Sequence, residues 1–522
     1  MAVVLCVVLW GALAPVSAQE ATEDAAAEDA AAEGPGFPAG LDSLNVAIEE
    51  FELRLIPLTV DELSALAARW QEIVRGQTDA VVEATIAVQN AGDGAGQEAL
   101  DRVVSDGPWA GSLTQLVDDT NLGKYLFEII DPATNRVIYS RGFASIYGEW
   151  ETTGEARRTH ATFHESLRFP WPLHSVQVVL KKRDDEGAFR ELWSVPLDPD
   201  SRFVNPAPPP AEGRVWAVFE NGDPTEKVDL VLLSEGYTEA EMGKFHSDVA
   251  RLVERLFETE PFKSNRTEFN VWAIDLPSEQ SGVNRPHVRQ FRRTPVSAEY
   301  NIFGSERYLL TFDNRRLRDV LSAAPYEFVE ILVNAEQYGG GGIYNFQATT
   351  AVDTEFADYI FVHEFGHHFA GLADEYYTSS VAYETGDARR PEPWEPNVTA
   401  LLDPEHLKWG DRVEEGSPLP TPWGKVAYEE HARSIQARRQ ALIDRQAPEA
   451  EFDALFEEQR RIESELLHAM EHSGHVGAFE GAMYEARGLY RSETDCIMFT
   501  RTDYFCRVCR RAIERVIALY SS

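Results

Sequence analysis

The spacing of hydrophobic positions changes several times along this chain, and each change marks a different kind of element. Residues 3–13 are an uncharged apolar run, and residues 19–36 are rich in Ala, Glu and Asp with few large apolar side chains. From about 44 to 90 the spacing is helical: Leu63, Leu66, Trp70, Ile73 and Val74 follow a capping start at Thr59-Val60-Asp61-Glu62. Between about 124 and 201 the period becomes two, predicting strands near 125–130, 136–140, 161–167, 176–180 and 189–195. Short strands so closely spaced predict a small antiparallel sandwich. The stiff run from Asn205 to Pro210 then marks a domain boundary.

Beyond it the pattern is α/β. Residues 228–233, 269–274 and 328–334 read as buried strands, and Thr238 opens a helix reaching about residue 257. Residues 427–446 and 448–472 are charge-laced helical runs without a clean apolar stripe, predicting an exposed hairpin. The expected fold is α+β and multidomain. It has a signal peptide at 1–18, an acidic disordered linker at 19–41, a helical segment at 42–118 and a β-sandwich at 119–204. A Pro-rich linker at 205–212 leads to a zincin-type α/β catalytic domain at 213–522, with the helical hairpin inserted at 426–472.

Charge narrows the function. Lys plus Arg number 48 against 87 Asp plus Glu, a formal charge of −39 that repels phosphate backbones and anionic lipid. Nucleic acid is therefore excluded as a partner. The apolar run at 3–13 is short for a spanning helix, and Val16-Ser17-Ala18 has the small-x-small form of a signal-peptidase site. Export follows, to the periplasm, the cell surface or the medium, with no stable membrane insertion once Cys6 and the rest of the signal are removed.

The chemistry is concentrated in His363-Glu364-Phe365-Gly366-His367, behind the apolar run 356–362. Asp353 or Thr354 can cap the start of this helix, and Gly371 can end it. Two histidines four apart share one helix face and can bind one zinc through neutral ring nitrogens. Glu364 then stands beside the first ligand, placed to take a proton from water. In metzincins a glycine after the motif turns the chain back to a third ligand. Here Gly371 and its follower Asp374 each come one residue later than in that pattern, and Asp374 is the favoured third ligand over Glu375 and Glu480. His368 points off this face and is left out of the metal shell.

The string from His363 to Tyr377, HEFGHHFAGLADEYY, resembles the signature of the IgA-peptidase family of zinc metallopeptidases. The segments 233–237 (LSEGY), 259–262 (TEPF), 269–272 (FNVW), 338–345 (YGGGGIYN), 496–499 (CIMF) and 505–509 (FCRVC) are similar to that family too. The resemblance runs from about residue 228 to the C-terminus and implies secreted endopeptidase activity on protein or peptide substrates, without specifying immunoglobulin. It implies that Met498 is the Met-turn residue, an apolar floor beneath the histidines. Tyr490, Tyr377 and Tyr504 are candidates for a hydroxyl that stabilises the oxyanion, Tyr490 first among them.

Two further groups bear on the site. Gly339 to Gly342 precede the motif helix where zincins place a sheet edge. Gly341, Gly342, Ile343, Tyr344 and Asn345 are read as an edge strand that takes an extended substrate, the glycines letting its backbone approach. No Lys-Ser/Thr follows, so a phosphate loop is excluded. Cys496, Cys506 and Cys509 suit one disulfide in an exported chain, from Cys496 to either of the others. A structural zinc is the weaker reading, since three thiols fall one short of four ligands. The expected function is a secreted zinc-dependent endopeptidase. The alternatives are a zinc-containing peptide- or glycan-binding protein without hydrolytic activity, and an exopeptidase.

Overall fold

The computed structural model describes residues 4–5, 81–90, 96–207, 209–378 and 391–521. The expected signal peptide (apart from Val4–Leu5), the acidic linker and most of the expected helical segment lie outside them. The described chain is mixed α+β.

Its N-terminal part is built of two sheets. One is ordered Arg136–Phe143, Tyr125–Asp131, Val176–Arg183, Phe189–Leu197, antiparallel throughout. The other is ordered Val4–Leu5, Thr162–Pro170, Val81–Asn90, Gly96–Ser105, Val204–Asn205. Alternation along Thr162–Pro170 buries Phe163, Glu165, Leu167 and Phe169 on one face. Phe169 meets Phe127 of the first sheet at 6.4 Å between ring centres. Residues 81–90 and 96–105 correct the helical expectation for that stretch: they are paired strands. Val81, Val82, Thr85, Ile86 and Val88 are β-formers, and in the structure residues 81–90 pair along the strand 96–105.

The larger part is organised on a six-stranded sheet in the order Arg214–Phe219, Phe269–Asp275, Val228–Glu235, Phe328–Val333, Gln347–Ala351, Gly340–Ile343. The three central strands and Gln347–Ala351 run parallel, and both edge strands run antiparallel to their neighbours. Val228–Glu235 is buried along its whole length, as a strand covered on both faces must be. Helix Met242–Glu258 follows a Thr238/Glu241 capping box, and Phe245, Val249, Leu252, Val253 and Leu256 form its buried stripe.

Helix Ala357–Ala370 lies on the sheet beside the strands Gly340–Ile343 and Gln347–Ala351. Its own Phe365 and Phe369 cluster with Phe262 and Phe328, with Phe328 and Phe369 at 4.5 Å between ring centres. Its start differs from expectation. The helix begins at Ala357 with no side-chain cap, Thr354 Oγ1 accepts from Phe356 N, and Asp353 pairs instead with Lys244.

The hairpin consists of helices Lys425–Asp444 and Glu449–His468. It is less exposed than its charge pattern suggests. Tyr428, Ala432, Ile435, Leu455, Phe456 and Leu467 are buried, and Phe456 packs on Phe356 and Tyr338. The N-terminal sheets dock on the larger part through Arg168, which donates to Tyr326 O, through Asp106, which accepts from the Tyr326 hydroxyl, and through Ala144 N, which donates to Tyr344 O. Among the described residues no helix is long and apolar enough to cross a membrane.

Candidate metal centre

The site is built where the motif helix ends. Gly371 adopts φ +59° and its N–H caps His367 O, so the chain leaves the helix and turns back. A Cβ at Gly371 would lie 2.6 Å from the Trp394 ring, a second reason for glycine there. Three residues on, Asp374 reaches the face of the helix that carries His363 and His367.

The three donors form a nearly equilateral triangle. His363 Nε2 is 3.1 Å from His367 Nε2 and 3.1 Å from Asp374 Oδ1, and His367 Nε2 is 3.2 Å from the same oxygen. Backbone carbonyls orient the rings: His363 Nδ1 donates to Ile497 O at 2.9 Å and His367 Nδ1 donates to Leu372 O at 2.5 Å. With Nδ1–H so used, both Nε2 lone pairs and a carboxylate oxygen converge on one point. Three acceptors cannot satisfy one another, so a proton or a metal ion belongs between them. Bonds of about 2.0–2.1 Å to a tetrahedral zinc would put such donors about 3.3 Å apart, close to what is seen.

The electrostatics agree. Burial alone would lower the His367 pKa, but the Asp374 carboxylate outweighs it and pushes the imidazole up to about 9. Burial likewise works to raise Asp374, yet His367 and His363 hold its carboxyl well below the usual range. Glu364 lines the cavity beside the triangle, and burial pushes its carboxyl up. Met498 lies beneath the helix: a Cβ at Gly366, between the histidines, would come within 3.2 Å of its sulfur.

The rival ligands are elsewhere. Glu480 pairs with Lys425 Nζ at 2.7 Å, and Glu375 is buried against Asn397 and Cys509. His368 bridges two strands, donating from Nδ1 to Ile343 O and accepting Val329 N–H at Nε2. Tyr490 corrects an expectation. It sits half-buried on strand Glu485–Arg491, opposite Thr399 and Glu480, away from the cavity wall. The hydroxyls of Tyr377 and Tyr504 point to Glu429 and Asp495. Sequence reasoning missed Tyr484, whose hydroxyl donates to Asp374 Oδ2. Nothing local signals it, because the partners are 110 positions apart.

The triangle opens into a cavity of about 650 Å³. Its walls include Lys124 and Arg183 from the N-terminal sheets, Gly340, Gly342 and Ile343 from the sheet edge, and Arg439, Phe456 and Gln459 from the hairpin. Arg307 and Arg501 add further cations, and burial together with these neighbours pushes Arg439 down to about 9.

The edge strand differs in detail from expectation. It ends at Ile343. Tyr344 and Asn345 are already engaged: Tyr344 O accepts from Ala144 N, and Asn345 N donates to His368 O. Gly342 also lets the helix approach, since a Cβ there would lie 2.3 Å from Glu364 O and 2.9 Å from His367 Cβ. The three cysteines also depart from expectation. All are buried free thiols, with Cys496 and Cys509 sulfurs 3.8 Å apart, well beyond the ~2.05 Å of a disulfide.

Residues 217–517 match the family model described as IgA Peptidase M64. The chain belongs to that family. Residues 86–194 match the model of the Peptidase M64 N-terminus, which begins among the paired strands rather than at 119. A search of curated proteins finds no match to the chain. Membership makes it a metallopeptidase, with protein or peptide substrates and a metal cofactor. The converging His and Asp donors fit that requirement.

Proposed function

We propose that this chain is an exported, zinc-dependent endopeptidase with a zincin-type catalytic domain at 213–522. The observation that carries the reading is the donor triangle of His363, His367 and Asp374, each atom within 3.1–3.2 Å of the other two. Two imidazoles and a carboxylate in tetrahedral spacing suit zinc better than the hard, oxygen-preferring cations. Zinc held there supplies a Lewis acid that acidifies water and polarises a carbonyl.

The chain's own residues do the rest. Glu364, half-buried beside the ligands with its proton affinity raised, accepts a proton from the attacking water and returns it to the leaving amine nitrogen. Tyr484 holds the second oxygen of Asp374, fixing which oxygen faces the histidines. The Ile497 and Leu372 carbonyls keep both imidazoles in the tautomer that leaves Nε2 free to bind. Met498 supports the helix from below as the Met-turn residue. The sheet edge at Gly341 to Ile343 pairs with an extended peptide, while the hairpin and the N-terminal sheets flank the cleft and select its side chains. Export is read from the apolar run at 3–13 and its small-x-small site.

The test is digestion of peptides blocked at both termini, read by mass spectrometry. Internal cleavage that stops with a chelator and returns with zinc is the expected result. Release of terminal residues only from unblocked peptides would establish an exopeptidase, and binding without cleavage would establish a non-hydrolytic protein.

A further inference from the structure

A second group of metal-binding side chains lies on the other side of the Met-turn. One ligand atom each from Glu375, Cys496, Cys506 and Cys509 lies within 4.8 Å of every other, and all four residues are buried. The thiols supply three ligands, and the structure supplies the fourth from a glutamate 134 positions from Cys509. We propose that these four residues bind a structural zinc ion, distinct from the ion at the catalytic triangle.

The separations between these atoms have the size of a tetrahedral site. Two zinc–sulfur bonds of about 2.3 Å at the tetrahedral angle place their sulfurs about 3.8 Å apart. Cys496 and Cys509 sulfurs are 3.8 Å apart. A zinc–oxygen bond of about 2.0 Å puts that oxygen about 3.5 Å from a ligand sulfur. Glu375 Oε1 is 3.5 Å from Cys509 Sγ.

The surroundings suit thiolates. Cys506 and Cys509 form a C-x-x-C pair at the start of helix Arg507–Tyr520, where the helix dipole favours negative charge. Backbone N–H groups point at sulfur: Cys506 N donates to Cys496 Sγ at 3.2 Å and Cys509 N to Cys506 Sγ at 3.4 Å. Ser492 Oγ is 3.2 Å from Cys506 Sγ. Three thiolates and a carboxylate around a divalent ion leave a charge of −2, and Arg491, fully buried between Phe499 and Trp423, acts electrostatically on Glu375.

An independent observation on Glu375 points to an ion. Its side chain is 0% exposed, Oε1 accepts from Asn397 at 3.0 Å, and Oε2 has no hydrogen-bond partner. A carboxylate enclosed in that way costs several kcal/mol unless a charge compensates it. The location gives the ion a purpose. Glu375 follows the catalytic ligand Asp374, and Cys496 lies two residues before Met498. Zinc here ties the loop of the third catalytic ligand and the Met-turn to the C-terminal helix. It also keeps three neighbouring thiols from oxidation in an exporting compartment, each thiol releasing its proton as it binds.

The test uses the full chain purified without reductant or chelator, with zinc counted by mass spectrometry and its ligands read by X-ray absorption. Two zinc ions per chain are expected, with a sulfur shell at about 2.3 Å. In a His363→Ala/His367→Ala variant one zinc should remain and the sulfur count per zinc should rise. Because the catalytic triangle contains no sulfur, this outcome is independent of whether the peptidase reading holds. A zinc signal without sulfur neighbours, or a peptide map with Cys496 disulfide-bonded to Cys506 or Cys509, would overturn the proposal.

Discussion

Glu364 and Tyr484 act on the triangle in different ways, and their variants should separate. Glu364→Gln keeps the side chain's shape but removes the base, so metal content should hold while peptide turnover falls by about 10²–10⁴-fold. Retained turnover would remove Glu364 from the mechanism. Tyr484→Phe removes only the hydroxyl that holds Asp374 Oδ2. Zinc affinity, measured by competition with a chromophoric chelator, should weaken by about 10–100-fold. Unchanged affinity would show that the carboxylate is positioned without it. At this scale the local part of the site was legible. His363 and His367 share a face because of helical periodicity, and Asp374 was readable because Gly371 must turn the chain. Tyr484 and the role of Glu375 were not legible, because each depends on a partner more than a hundred positions away. Tyr490 lies on strand Glu485–Arg491, paired with Thr399 and Glu480, whereas Tyr484 stands in the turn before that strand at φ +65° and its hydroxyl reaches Asp374.

Among the elements, the junction of the motif helix with the edge strand Gly340–Ile343 is the tightest at the site. A Cβ at Gly342 would sit 2.3 Å from Glu364 O, a backbone atom that cannot rotate away. Gly342→Ala should therefore push strand and helix apart, costing about 1–3 kcal/mol in unfolding free energy by denaturant titration and depressing turnover through Glu364. Wild-type stability and turnover in that variant would mean the contact is slack. The buried strands were legible from their apolar runs, and the helix after Thr238 from its capping box. In 81–90 and 96–105 apolar and small residues fit both periods, and only pairing decides between helix and strand. Charge surrounds both helices of the hairpin and predicts a solvated element. Its inward face rests on a few residues, Phe456 and Tyr428 foremost, too sparse to form a stripe.

For the molecule as a whole, buried acids set the response to pH. Loss of water on burial pushes Glu165 and Asp229 up to about 8, and Glu235 and Glu463 up to about 7. Unfolded, they return to about 4, so between about pH 5 and 8 the folded chain binds more protons and stability falls as pH rises. Exposed carboxylates held low by ion pairing or hydrogen bonds, such as Asp184 and Asp403, are ionised in both states across that window and add no slope. His368, pushed down to about 3 by burial, opposes the trend only below about pH 6.5, where the unfolded imidazole gains its proton. Tm by calorimetry should thus be lower at pH 8 than at pH 6.5, and a flat or rising Tm would mean these carboxyls are not shifted in the folded chain.

The architecture that encloses the cleft, with the N-terminal sheets on one side and the hairpin on another, depends on docking that no local pattern encodes. The account rests on one ion at the triangle. The most direct test is an anomalous difference map at the zinc edge from crystals of the full chain. A peak about 2.0–2.1 Å from His363 Nε2, His367 Nε2 and Asp374 Oδ1 is the predicted result. No density between the two imidazoles, or a metal there bound by Glu375 or Glu480 in place of Asp374, would contradict it.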